Sequence, residues 1–345
     1  MRAWRAVTAL AASLLLAGCG IGYYAQAARG QFAVMRAREP IGKLIEAPST
    51  SDALKQQLLR ARRIRDFASA ELGLPDNASY RSYADIGRRY VVWNVVAAPE
   101  FAIEPRQWCF PITGCIAYRG YFREEAARAF AATLQQQGDD VVVGGVPAYS
   151  TLGRIADPLL STVSGYGELD LAGLVFHELA HEVVYLPGNS SFNEAFATAV
   201  EEEGVARYAA AHADATTLAA WQARRRLQLE ATGLFTAARA ELASLYRQRL
   251  APEAMRARKA ERMARLGADI LAMEQRHGRR SGYSSWVEAG LNNAHLASVA
   301  TYHDRVPHFE ALLREGCGGY LPCLYVRARE EARAAGTGSA PTSVR

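Results

Sequence analysis

The chain is poor in cysteine, in histidine and in unbalanced charge. It carries 5 Cys and 7 His in 345 residues. None of the cysteines forms a C-x2-C pair, which argues against a structural zinc site built from thiolates. The net charge is +5 with 22% charged residues, too mild an excess to argue for nucleic acid as a partner. Past the first nineteen residues no run is long and apolar enough to span a bilayer. The helix-forming second half has no sustained heptad, which argues against a coiled-coil dimer. What remains is a chain long enough for one large domain or two lobes with a sizeable core.

The first stretch is a leader, not fold. Arg2 and Arg5 form a basic start, Val7 to Leu16 an apolar run, and Leu16-Ala17-Gly18-Cys19 a small-residue end, the pattern of a secretory signal. It resembles the bacterial lipoprotein signal, in which the Cys becomes the lipidated first residue. Residues 1–18 are therefore expected to be removed and Cys19 to carry acyl chains that tie a soluble body to a membrane. Gly20 after the Cys, by the same resemblance, suits the outer membrane, facing the periplasm. Loss of Arg2 and Arg5 takes the charge from +5 to +3. Export also exposes the remaining cysteines to oxidation. Cys109, Cys115, Cys317 and Cys323 allow three pairings. The spacing of six around Pro111, Thr113, Gly114 and around Gly318, Gly319, Pro322 favours Cys109–Cys115 and Cys317–Cys323.

The centre of the chain is Phe176-His177-Glu178-Leu179-Ala180-His181. Residues 170–186 have helical composition, so His177 and His181, four apart, share a face. Two neutral imidazoles at that spacing hold one zinc ion at about 2.0–2.1 Å each. Glu178 is too close in sequence to join them, but its carboxylate reaches a water at the ion and suits a general base. Twelve residues separate His181 from Glu194, on a second helix-like run from Phe192 to Glu201. Breakers in Leu186-Pro187-Gly188-Asn189 suit a turn between the two. Glu194 is the expected third ligand, leaving a fourth position open, the catalytic pattern. Glu201, two turns on, shares its face and is expected to orient a ligand His through the other ring nitrogen.

Around this centre the expected class is α+β: a small mixed sheet before the zinc helices and a mainly helical C-terminal part. Residues 19–50 form an N-terminal anchor segment on which Tyr23, Tyr24 and Phe32 dock. Ser51 caps an amphipathic helix to Leu72 with a solvated arginine face. Residues 51–165 make an α/β lobe, with strands over 90–96, 101–103 and 139–146, a loop over 108–115 and a helix over 124–137. Residues 166–330 make a helical lobe with a long hairpin over 212–277, whose arginines, Arg224 to Arg226 among them, face solvent. Residues 331–345 read as a disordered tail. The link Pro147 to Gly153 follows a strand that can offer an edge to a peptide, with Tyr149 and Gly153 as substrate-binding residues. Tyr302, His303 and His308 are candidates for the donor that stabilises the oxyanion, Tyr302 foremost and His308 more readily a surface imidazole.

H-E-L-A-H followed by N-E-A-F-A-T resembles the gluzincin metallopeptidases, the aminopeptidase N type in particular. The resemblance implies a zincin-like fold, one Zn2+ per chain on His177, His181 and Glu194, and Glu178 as base. Two departures stand out: the gap before Glu194 is short, and no G-x-M-E-N motif is present to bind a substrate amine. More of the chain resembles a family of bacterial lipoproteins described as zinc aminopeptidases. The likeness runs through W-C-F-P-I-T-G-C-I-A-Y-R-G-Y-F, V-P-A-Y-S-T-L-G and L-N-N-A-H-L-A-S-V-A-T-Y-H-D-R-V-P-H-F. It implies removal of N-terminal residues from peptides. An endopeptidase or processing protease is the nearest alternative. An envelope scaffold with a vestigial zinc site is another, against which the intact base and ligands speak.

Overall fold

The structure, a computed structural model, describes residues 20–303 and 305–338. The leader and Cys19 lie outside these residues, so the lipidation expectation rests on sequence. No described helix is long and apolar enough to cross a membrane.

Helix α1 (20–36) lies on the body through one side only. Tyr23 stacks on Phe110 and meets Tyr121 edge-on, and Arg119 sits over the Tyr23 ring. Tyr24 and Phe32 instead point outward, 49% and 62% exposed. The expected docking thus holds for Tyr23 and fails for the other two, because a helix turns only one stripe to its support. Strand β1 (Arg38–Pro40) and helix α2 (Ile41–Glu46) lead to α3 (Asp52–Ala70), capped by Ser51 Oγ at 3.3 Å from the Leu54 N–H. The arginine face of α3 is not wholly solvated. Arg65 is fully buried and donates to the carbonyls of Ser79 (2.8 Å), Pro75 (2.6 Å) and Asn77 (3.1 Å). A buried guanidinium needs such acceptors, and here it ties down the loop after α3.

Three small sheets follow. β1, β2 (Ser82–Ala84) and β8 (Leu159–Leu160) form a mixed sheet in the order β1-β2-β8. Strands this short carry almost no alternation, so the sequence does not announce them. β3 (Val92–Pro99) is the centre of the second sheet, between β6 (Arg119–Tyr121) and β7 (Asp139–Val146), both antiparallel to it. Helix α4 (Glu124–Gln136) carries the chain from β6 to β7 and packs Ala127, Ala131 and Leu134 under the sheet. This sheet is antiparallel where a mixed one is expected. The region 108–115, expected as loop, is the hairpin β4 (Trp108–Phe110) and β5 (Gly114–Ile116), with Cys109 opposite Cys115. Both favoured disulfides are present, Cys109–Cys115 and Cys317–Cys323. Phe101 and Ile103 are not strand. They pack into the helical lobe, where burial outweighs strand propensity.

The rest is helical: α5 (Glu168–Val183), α6 (Ser190–His212), α7 (Ala215–Tyr246), α8 (Pro252–His277), α9 (Ser284–Ala289), α10 (Asn293–His303), α11 (Val306–Ala311) and α12 (Leu321–Gly338). α7 and α8 form the long hairpin, joined through Leu227, Phe235, Leu242, Leu266 and Ile270 in one core. Its first strand of sequence, 212–214, belongs to the end of α6 and its link. The tail expected to be disordered from 331 continues α12 to Gly338, since Glu, Ala and Arg are strong helix formers even where charge is dense. The main core joins α3, α5, α6, α11 and α12. Phe176, Leu179, Phe192, Phe196 and Phe309 in it are all nearly or fully buried. Each such side chain contributes roughly 1.5–3 kcal/mol of burial, which fixes α5 and α6 against one another.

Candidate metal centre

α5 places His177 and His181 on one face, their ring centroids 4.9 Å apart. α6 begins seven residues after α5 ends, and the connection is closed by side chains. Asn189 Oδ1 accepts from the Phe192 N–H at 3.0 Å and caps α6. Asn193, 1% exposed, accepts from the Leu186 N–H (2.7 Å) and donates to the Leu186 carbonyl (2.9 Å). The hairpin β4–β5 braces the same turn: the Gly188 N–H donates to the Thr113 carbonyl at 2.9 Å. The residue after Asn193 is Glu194, so these bonds set its position.

Glu194 Oε2 lies 3.3 Å from His177 Nε2 and 3.8 Å from His181 Nε2. These are the described His and Glu residues whose donor atoms converge, all within 4.8 Å of one another. Bonds of about 2.0–2.2 Å at a tetrahedral angle put donor atoms roughly 3.4 Å apart, so the spacing fits one small divalent ion. The electrostatics fit as well. Burial drives His181 down to about 4, leaving the neutral ring that a ligand must be. Burial also disfavours charge on His177, yet Glu194 and Glu201 outweigh it and hold that ring well above its ordinary value. Burial pushes Glu194 up, and the two imidazoles outweigh that and keep it ionised. The three residues could hold a divalent ion in place of the proton that His177 otherwise keeps.

Glu201 Oε2 sits 3.0 Å from His177 Nδ1, as its place on α6 leads one to expect. Gly173 on α5 makes room for it: a Cβ there would stand 3.0 Å from Glu201 Oε1. His181 Nδ1 has no such partner and is a buried orphan. Glu178 is half-buried, and desolvation drives its carboxyl up to about 7, with His177 opposing the shift and Glu194, Asp157 and Glu201 adding to it.

The centre opens on a cavity of about 630 Å³ walled by His177, Glu178, His181 and Glu194 on one side and by α1 on another. Val146, Ala148 and Tyr149 also line it. Tyr149 bonds through its hydroxyl to Gln31 of α1. β7, which leads to this link, is an outer strand of its sheet. Gly153 does not line the cavity. Leu152 (φ 59°) and Gly153 (φ 70°) are both left-handed, and the turn lays Gly153 against Glu182, 3.3 Å from where its Cβ would be. Tyr302 and His303 fall in the last turn of α10, and their side chains lie outside the described residues. His308 pairs with Glu331 at 3.0 Å on the surface, as a surface imidazole does.

A match to a family model decides the kinship: the model described as "putative aminopeptidase" covers residues 22–336. The chain belongs to this family. No curated protein and no solved structure matches it. An oxyanion formed at a carbonyl calls for a hydroxyl or N–H donor beside it. The structure brings forward a tyrosine that sequence reasoning passed over. Tyr118 lines the cavity with the three donors, and burial together with Glu194 keeps its phenol protonated far above the ordinary value. Tyr185 is nearby, its ring 6.5 Å from that of His181 and its pKa pushed up by burial to about 12. Tyr118 stands in the C-I-A-Y-R-G-Y-F run, but nothing local ties it to a motif some sixty residues on.

Proposed function

We propose that the protein is a zinc-dependent aminopeptidase of zincin-like fold, lipid-anchored through Cys19 in the bacterial cell envelope, on the periplasmic face of the outer membrane. The observation that carries the reading is the convergence of His177, His181 and Glu194 beside Glu178 on one wall of a cavity. His177, His181 and Glu194 would hold the divalent ion, which would supply Lewis acidity and lower the pKa of a water there toward neutral. Glu178 accepts the proton of the attacking water and returns it to the nitrogen of the leaving amine. Glu201 holds His177 in the tautomer that leaves Nε2 free for the ion. Tyr118, a neutral phenol, donates to the substrate carbonyl oxygen as charge grows on it. Tyr302, expected from sequence for the same role, has its side chain outside the described residues. The aromatic and apolar wall with Tyr149 and Val146 receives the peptide.

The test is metal analysis of purified protein with a panel of free and N-acetylated peptides. Cleavage of free N-termini alone, lost on chelation and restored by zinc, supports the proposal. Cleavage indifferent to N-terminal blocking makes the protein an endopeptidase, and purification without metal or hydrolysis leaves the scaffold reading.

A further inference from the structure

A second cavity of about 400 Å³ lies on the far side of His177. His177, Tyr118, Asn94 and Val146 line both cavities, so the second lies directly against the metal centre. Its size falls in the range of small-ligand sites. Its wall is largely apolar, with Val96, Val142, Trp286 and Val299 in it. One cation stands in that wall. Arg225 of α7, expected to face solvent with its neighbours, is turned inward and only 16% exposed. It pairs with Glu202 through Nη2, while its Nε is buried with no hydrogen-bond partner. A guanidinium keeps further N–H donors beyond those that one carboxylate takes, and at a cavity wall these can donate to a second planar anion. The other charged side chain in the wall, Glu201, is engaged by His177.

We propose that this cavity binds the apolar C-terminal end of a short peptide and that Arg225 receives its free carboxylate. The substrates are then di- and tripeptides with an apolar last residue, not folded proteins. The inference rests on the peptidase reading, but its test does not depend on turnover. Binding is read on the full chain stripped of metal, from the emission of Trp286, with Trp286→Phe as the control for the other tryptophans. Alanyl-phenylalanine and its C-terminal amide are compared.

The wild type is expected to bind the acid about tenfold or more tighter than the amide, the scale of a hydrogen bond to a charged partner. Arg225→Gln should abolish the difference and Arg225→Lys should keep part of it. Gly144 supplies a second variant that leaves Arg225 alone. It lines the cavity, and a Cβ there meets no atom within 4 Å. Gly144→Leu fills the space without backbone strain and should remove binding of the acid. Equal binding of acid and amide by the wild type overturns the proposal, as does a preference that survives both Arg225→Gln and Gly144→Leu. An amidated alanyl-aspartyl-phenylalanine that binds as tightly as the acid moves the recognised carboxylate from the C-terminus to a side chain and also overturns it. A chain that prefers the acid yet cleaves neither peptide after zinc is restored keeps this cavity's role and loses the peptidase reading.

Discussion

The bond between Glu201 and His177 offers the sharpest test of how the metal centre is built. Glu201 reaches across the α5–α6 contact to His177 Nδ1 at 3.0 Å, with His177 only 15% exposed. Glu201→Gln keeps the shape and an acceptor oxygen but removes the charge that orients the ring and strengthens its other nitrogen. A hydrogen bond between an ionised group and a buried partner contributes about 1.5–3 kcal/mol. Loss of such an orienting carboxylate costs about ten- to hundredfold in metal affinity. The two scales agree, since tenfold is about 1.4 kcal/mol. Glu194→Gln, by contrast, removes a donor that lies 3.3 and 3.8 Å from the two imidazole nitrogens. It should weaken binding well beyond Glu201→Gln. Zinc competition against a chromophoric chelator at neutral pH measures both. If Glu201→Gln stays within twofold of the wild type, the carboxylate does not tune the ligand. If Glu194→Gln holds zinc as tightly as Glu201→Gln does, the third ligand lies elsewhere.

Three further outcomes follow from the same geometry. Glu178→Gln should lower peptide hydrolysis by about 10²–10⁴-fold with zinc content unchanged, and undiminished turnover would sink the role of base. Gly114→Ala should lower the melting temperature and loosen the metal. Gly114 has φ 71°, and a Cβ would lie 2.5 Å from the Gly188 nitrogen, in the turn that sets Glu194; about 1–3 kcal/mol is at stake, and an unchanged Tm refutes the bracing role. Burial holds the Asp157 carboxyl up to about 6, above its ordinary 3.8. The folded state therefore keeps that proton more tightly than the unfolded chain. The stability it contributes is complete below about pH 4 and is lost as pH rises through about 6, a cost of roughly 3 kcal/mol. Asp157→Asn keeps an acceptor for the Thr151 N–H, so wild type and variant should diverge in Tm across that window; parallel pH curves would contradict the argument.

What sequence by itself determined here is what is local. His177 and His181 share a face because a helix repeats every 3.6 residues, and nothing outside five residues is needed to say so. The α7–α8 hairpin and the end of α5 before Pro187 follow from periodicity and breakers in the same way. The cysteine pairs sit across short turns, so their spacing was enough. Glu194 and Glu201 lie on a helix whose return past α5 is constrained by one short loop, and they too were legible.

The tertiary structure decided everything that depends on distant segments meeting. Tyr118 reaches the metal centre from a strand end and Arg225 the second cavity from α7, and no periodicity records that. Arg65 and Arg225 read as solvated because their neighbours are charged. Arg65 is buried because carbonyls close over it, and Arg225 is turned inward at a cavity wall. Gly153 looked like part of the substrate wall until two left-handed residues turned it toward Glu182. α1 was expected to dock through three aromatics, and only the packing reveals that one of its faces also walls the cavity. Local propensity is set within a few residues by backbone sterics, whereas the partners of a buried polar group are chosen by the packing of the whole core.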